Sequence, residues 1–87
     1  MGDEEFVVLA PQVGAAGAAG AAERLCAAVA AYDFGEVGRV TVSLGVAEYL
    51  PGESLDDLFS RADQALYVAK ESGRDRVEIA GRAGSAA

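Results

Sequence analysis

Histidine is absent from this chain of 87 residues, cysteine occurs once, and the negative charges outnumber the positive ones. Without histidine there is no imidazole base, no His-ligated metal and no Ser/His/Asp catalytic triad. The single cysteine excludes an internal disulfide and a cysteine-rich zinc cluster. Because Cys26 falls inside a helical pattern, we expect a buried structural thiol. The net charge of -7 argues against a nucleic acid polymer as partner, although local cations can still bind a small phosphate.

Long apolar runs are also missing. No run approaches about 18 residues and no secretory pattern opens the chain, so we expect a cytoplasmic segment without membrane contact. The length suits one small domain. Much of the 52% hydrophobic content is alanine, which buries little area. The composition therefore predicts a core of Val, Leu and the aromatic rings of Phe6, Tyr32, Phe34, Tyr49, Phe59 and Tyr67.

Residues 38–49 form the stretch around which the chain is organised. Large apolar residues alternate there with small ones, which is typical of a strand with one bulky and one small face. A face of small residues lets a second element, or a ligand, approach the backbone closely. The pattern predicts a central strand with Val40, Val42, Leu44 and Val46 on one face and Thr41, Ser43, Gly45 and Ala47 on the other.

The segments before this strand predict a strand and a helix. An acidic turn over residues 1–6 leads into an apolar run that stops at Pro11, which indicates a turn that feeds a fully buried strand. Residues 14–32 are rich in alanine and predict a helix. Its apolar face is expected to contain Ala18, Ala21 or Ala22, Leu25, Val29 and Tyr32.

The segments after the central strand predict a second helix and a last strand. Ser54 and Asp57 have the spacing of a capping box at a helix start. The apolar stripe of this helix is expected to contain Leu55, Leu58, Phe59, Ala62, Leu66 and Ala69. Gly73 ends the helix, and residues 75–80 predict a short strand with Val77 and Ile79 facing inward. We expect a domain over residues 1–80 and a disordered tail over residues 81–87.

The resulting order of strand, helix, strand, helix, strand indicates an α/β or α+β fold. Several charged residues have simple structural explanations within it. The acidic run at residues 3–5 reads as a solvated terminus. Lys70 and Arg74 lie at the end of the second helix, where its dipole favours cations without any ligand. Arg61 and Asp63 read as a solvated helix face, and Tyr67 as a residue of the core or its rim.

Four segments in this order closely resemble the GGDEF domain of bacterial diguanylate cyclases. The first is Gly-Asp-Glu-Glu-Phe-Val-Val-Leu at residues 2–9. The other three are residues 40–47, 61–70 and 73–77. The resemblance covers residues 2 to about 80, which correspond to the second half of the family's domain. It implies a ferredoxin-like sheet with flanking helices, as in the palm of nucleotidyl cyclases. It also implies enzymes that join two GTP molecules into cyclic di-GMP with Mg²⁺, in a dimer.

The resemblance assigns roles residue by residue. Glu4 would bind the metal and help to activate the 3′-hydroxyl, with Glu5 beside it. Lys70 and Arg74 would hold the triphosphate, and Gly2 would lie against the nucleotide. Asp3 stands where the family has its second glycine, so it adds bulk and negative charge beside a phosphate.

Two functions follow from the resemblance. In the first, the chain belongs to a diguanylate cyclase and is inactive by itself, because the family supplies a further carboxylate and the guanine-reading residues from its first half. In the second, it is a degenerate module that binds a nucleotide or a protein without turnover, as Asp3 suggests. Exposed strand edges lead us to expect a homodimer, including a strand-swapped one.

Overall fold

The computed structural model describes residues 2–12, 14–32, 34–35, 38 and 40–81. In chain order they form β1 (Gly2–Ala10), α1 (Ala15–Ala31), β2 (Val40–Glu48), α2 (Leu55–Glu71) and β3 (Val77–Ile79). The strands pair in parallel in the order β1-β2-β3. The α/β prediction is confirmed, and the arrangement is consistent with a portion of a cyclase palm. The predicted tail lies outside the described residues except for Gly81, as do Asp33 and Glu36, which come between the first predicted helix and the central strand in sequence.

Strand β2 is covered on both faces, as its alternating pattern predicts. On the bulky face, Val42, Leu44 and Val46 pack with Ala22 and Cys26 of α1. On the small face, Gly45 lies directly under the backbone of α2, with atoms of Ala62 and Leu66 inside the space that a Cβ would occupy. The two helices therefore lie on opposite faces of the sheet, and the missing side chain at position 45 sets how closely α2 approaches.

The buried face of α1 agrees with the predicted one at Ala18, Ala22 and Val29 and differs from it at Leu25 and Tyr32. The helix packs through Ala18, Ala22, Cys26 and Val29, whereas Leu25 is 47% exposed and Tyr32 is 61% exposed. Leu25 and Cys26 are adjacent, so they lie about 100° apart around the helix and only one of them can face the sheet. The bulky face of β2 already fills this space, and small side chains on the helix fit against it.

Helix α2 begins with the predicted capping box. The Ser54 hydroxyl accepts the Asp57 N–H, and the Asp57 carboxylate accepts the Ser54 N–H. The predicted stripe is right for its inner members and wrong at its margin, where Leu55 is 71% exposed and Phe59 is 50% exposed. The buried residues of α2 are Leu58, Ala62, Ala65, Leu66 and Ala69.

The outer strands are less buried than predicted. Strand β1 begins at Gly2, so the acidic run is extended and does not form a turn. It pairs with β2 along one side only within the described residues, and its Phe6 and Leu9 are exposed. Strand β3 also pairs only with β2, and Ile79 at its end is exposed while Val77 packs on the core.

The aromatic core predicted from composition is wrong. Five of the six rings are exposed and Tyr49 is half-buried. The layers of this domain meet through alanine, glycine, valine and leucine, which brings the helices too close to the sheet for rings to fit between them. None of the helices in the described part of the chain is long and apolar enough to cross a membrane.

Candidate functional site

Two cations and one carboxylate meet where β1 faces the end of α2. Lys70 Nζ lies 3.2 Å from Glu5 Oε1, and Arg74 Nη1 lies 3.6 Å from Glu5 Oε2. We call Glu5, Lys70 and Arg74 the anion cluster. Their side chains are 31% to 43% exposed. Each cation therefore contacts its own oxygen of a single carboxylate, at a place that solvent and a ligand can reach.

The helix and the turn that follows it position the two cations. Lys70 is in the last turn of α2, whose approach to the sheet is set by the close contact over Gly45. Beyond the helix, Gly73 has φ 118° and Arg74 has φ 64°, so the chain turns sharply before it enters β3. The Arg74 N–H donates to the Ala69 carbonyl at 2.9 Å. The two cations are brought together by the fold as well as attracted by the helix dipole.

The other acidic residues of β1 divide between the two faces of the sheet. Because side chains alternate along a strand, Asp3 shares the face of Glu5, and Glu4 lies on the opposite face. Asp3 Oδ1 accepts a hydrogen bond of 2.6 Å from Thr41 Oγ1 on the neighbouring position of β2. Gly2 lies at the start of the strand, in register with Val40. The fold therefore brings Asp3, Glu5, Lys70 and Arg74 to one face and leaves Glu4 apart.

The carboxylates do not form a ready metal centre. Over residues 2–12, 14–32, 34–35, 38 and 40–81, no three His, Cys, Asp or Glu side chains are grouped closely enough to hold a metal ion. Glu4 and Glu5 point away from each other, and Glu5 is engaged by two cations. A divalent cation has at most one uncommitted carboxylate of this pair, that of Glu4, so the described residues do not fit a complete Mg²⁺ site.

A second charged pair, Glu53 with Arg61, was missed by the sequence analysis. Arg61 Nε donates to Glu53 Oε2 at 2.6 Å, and Nη2 donates to Glu53 Oε1 at 3.0 Å. The guanidinium also donates to the carbonyls of Glu48 and Gly81. The interpretation of Arg61 as a solvated residue is wrong, because its side chain is only 14% exposed. Asp63 is exposed as predicted, whereas Tyr67 is 62% exposed and lies outside the core.

The Arg61–Glu53 pair is structural. It ties the loop before α2 to the ends of β2 and β3, and hydrogen bonding to Arg61 lowers the pKa of Glu53. It lines a cavity of about 750 Å³ between α2 and β3, to which none of the residues of the anion cluster contributes. The spacing of eight residues between Glu53 and Arg61 crosses a turn and a helix start, so no periodic signal connects them in the sequence.

Together, the fold and the cluster define an α/β domain in which an acidic strand faces a cationic helix end. The chain belongs to the GGDEF domain family, since residues 1–76 match the family described as "Diguanylate cyclase, GGDEF domain". Such domains belong to cyclic di-GMP signalling in bacteria, and the family typically uses Mg²⁺. The resemblance predicted from the four segments is thereby confirmed.

Curated relatives agree with this assignment. The chain is 46% identical over 82 residues to "Diguanylate cyclase DgcP" of Pseudomonas aeruginosa, covering 91% of this chain and 12% of the relative. It is 46% identical over 76 residues to "Diguanylate cyclase DgcM" of Escherichia coli, covering 87% and 18%. It is 39% identical over 82 residues to "Response regulator PleD" of Caulobacter vibrioides, covering 87% and 18%. The chain thus spans less than a fifth of the length of these relatives. No solved structure matches it.

Proposed function

We propose that this chain is part of a diguanylate cyclase, which joins two GTP molecules into cyclic di-GMP, and that the anion cluster receives the phosphates of GTP. The observation that carries the proposal is the convergence of Lys70 and Arg74 on Glu5. Phosphoryl transfer requires positioned cations that neutralise charge on the phosphate oxygens. Two cations that already straddle two carboxylate oxygens are spaced to straddle two phosphate oxygens.

Exposure makes the exchange of Glu5 for a phosphate feasible. Exposed ion pairs of this kind contribute only about 0–1 kcal/mol. A triphosphate carries more charge than one carboxylate, so it competes with Glu5 for both cations. In the absence of nucleotide, Glu5 then neutralises the two cations and keeps them close together. The nucleotide displaces it when it binds.

The remaining members of the proposed site are Gly2, Asp3 and Glu4. Gly2 would let the nucleotide approach the strand closely. Glu4 would give one carboxylate to Mg²⁺, and Glu5 would act from the other face of the strand, at the anion cluster. Mg²⁺ would supply charge neutralisation at the phosphates, and its other ligands would have to come from outside the described residues. We therefore expect the chain by itself to be inactive and to work within a homodimer.

Asp3 supports the alternative, a degenerate module that binds without turnover. Its carboxylate lies on the same face as the anion cluster and is oriented by Thr41. A negative charge there opposes an incoming phosphate. The two functions make different predictions for the variant that restores the family's glycine, D3G.

The test is isothermal titration of the chain with GTP and Mg²⁺, supported by NMR shifts of the arginine side chains. We expect K70A and R74A each to weaken binding about tenfold, because each removes a charge-assisted contact. R24A is the matched control, since it removes an exposed cation from α1. Equal losses for R24A and R74A would show a nonspecific charge effect and would refute the site.

A synthesis assay on the full-length protein separates the two functions. Formation of cyclic di-GMP by the unmodified protein supports the cyclase and means that Asp3 is tolerated. If only D3G makes product, or binds GTP much more tightly, the natural protein is the non-catalytic module. Sedimentation of the chain tests the proposed dimer, which a well-folded monomer would exclude.

A further inference from the structure

The turn after α2 has an unusual backbone. Gly73, Arg74 and Asp75 have consecutive positive φ values of 118°, 64° and 51°. Glycine and aspartate adopt this region comparatively readily, but arginine does not. A non-glycine residue persists in the left-handed region only when its surroundings hold it there, and such residues cluster at functional sites. Something in the fold must therefore hold Arg74, a member of the anion cluster.

Besides the hydrogen bond from the Arg74 N–H to the Ala69 carbonyl, two contacts hold this turn at Asp75. The Asp75 N–H donates to Ser43 Oγ at 3.1 Å, and Cys26 Sγ donates to Asp75 Oδ1 at 3.3 Å. Ser43 is 1% exposed and Cys26 is 6% exposed, so both partners are fixed by the core. Ser43 belongs to the small face of β2, whereas Cys26 reaches Asp75 from α1 on the other side of the sheet. Asp75 thus links the turn to the core from two directions.

The Cys26 thiol is suited to this role because it keeps its proton. Burial, followed by the hydrogen bond and the charge of Asp75, raises the pKa of Cys26 to about 11. At neutral pH the thiol is therefore a donor, and it also contacts the Val42 carbonyl at 3.4 Å. A thiolate would instead repel the Asp75 carboxylate.

We propose that Asp75, held by Ser43 and Cys26, is a positioning residue that fixes the left-handed backbone of Arg74 and so directs its guanidinium to the anion cluster. The consequence for nucleotide affinity depends on the proposed function, whereas the consequence for the backbone does not. Neither Ser43 nor Cys26 contacts the ligand in this proposal. They act on Arg74 through Asp75 alone.

The test uses the whole chain and two readouts. The first is the NOE between the amide proton and Hα of Arg74, which is strong when φ is positive and needs no ligand. The second is the affinity for GTP with Mg²⁺ by titration. S43A removes the acceptor of the Asp75 N–H, and C26A removes the thiol donor. S60A is the matched control, because Ser60 is an exposed serine of α2 far from this turn in sequence.

We expect S43A and C26A to weaken the Arg74 NOE and to reduce GTP affinity about three- to tenfold each, the range for one lost hydrogen bond. S60A should change neither. If S43A and C26A do not fold, the same two measurements can be made on variants of Asp75, which is exposed. D75N keeps an oxygen acceptor and tolerates a positive φ, so it should stay within about twofold of the natural chain, whereas D75A should behave like S43A.

The outcomes separate this proposal from the proposed function. An unchanged Arg74 NOE in folded S43A and in D75A overturns the positioning role, even if GTP affinity falls. A weakened NOE together with unchanged affinity also overturns it, because the backbone would then not direct the guanidinium. If the natural chain binds no GTP but S43A and D75A still lose the NOE, the conformational part is supported and the proposed phosphate site fails.

Discussion

Replacing Gly45 with alanine is the sharpest test of how this fold is built. A Cβ at position 45 would lie 2.9 Å from Leu66 Cα and closer still to the Ala62 carbonyl oxygen and the Leu66 amide nitrogen. All three atoms are backbone, so no side-chain rotation relieves the overlap. Ordinary contact begins at 3.4 Å, and restoring it requires α2 to move outward by about 1 Å.

The expected loss of stability is large for a domain of this size. Overpacking costs about 1–3 kcal/mol, and we expect the upper end because only a rigid shift of the helix relieves it. The gain of about 0.4–1 kcal/mol from a stiffer unfolded chain offsets part of this loss. A domain of this length has about 4–13 kcal/mol of stability in total. A net loss of about 2 kcal/mol lowers the melting temperature by about 8–16 °C.

Thermal unfolding followed by circular dichroism measures this effect, with G17A as control. Gly17 is in the first turn of α1 and a Cβ there meets nothing within 4 Å. Alanine should raise the stability of that helix by up to about 1 kcal/mol, so the same substitution should stabilise the chain at position 17 and destabilise it at position 45. A G45A melting temperature equal to that of the natural chain would refute the packing argument, as would a loss of stability in G17A.

Two further predictions concern pH. Arg61 holds the pKa of Glu53 below its ordinary value of 4.5, so the pair stabilises the fold above that pH and the contribution is lost as acid protonates Glu53. In urea titrations, the free energy of unfolding of E53Q should therefore decrease less between about pH 5 and pH 3 than that of the natural chain. An equal decrease in both would contradict this. The pKa of Cys26 is raised from 9.0 to about 11, so its contribution is complete below pH 9 and declines above it as the unfolded thiol ionises. Stability measured from pH 8 to pH 10.5 should fall more in the natural chain than in C26A, and parallel curves would contradict a buried thiol.

The sequence predicted the fold well where side-chain size alternates regularly. The β2 pattern identified the central strand, and its small face correctly indicated a close approach, now seen over Gly45. The α2 start was predictable because the capping box is a local interaction between Ser54 and Asp57. Both signals lie within a few neighbouring residues, so no tertiary knowledge is needed to read them.

The errors arose where tertiary packing decides between similar alternatives. In α1, alanines occur on every side of the helix, so periodicity alone wrongly placed Leu25 on the inner face, although Cys26 is buried as expected. Arg61 looked like any surface cation, because its partner Glu53 lies across a turn. The aromatic rings were assigned to the core on hydrophobicity alone, although the small residues between the layers leave no room for them.

The members of the candidate site come from the resemblance, and their geometry comes from the structure. Resemblance to the family selected Gly2, Asp3, Glu4, Glu5, Lys70 and Arg74. The structure places Glu5 between Lys70 and Arg74, and it separates Glu4 on the other face. Alternation along the extended strand explains that separation. The left-handed Arg74 had no signal in the sequence, because arginine has no preference for that conformation.

The anion cluster joins residue 5 to residues 70 and 74, across 65 residues of chain for the Lys70 contact. Contacts between such distant residues form late, because the entropy of closing the intervening chain must be overcome first. A folding chain in which α2 has already docked on β2 still has no anion cluster until β1 adds to the sheet. Binding at this cluster would therefore indicate that folding is complete. A ligand that binds only the formed cluster would stabilise the whole chain and not one half of it.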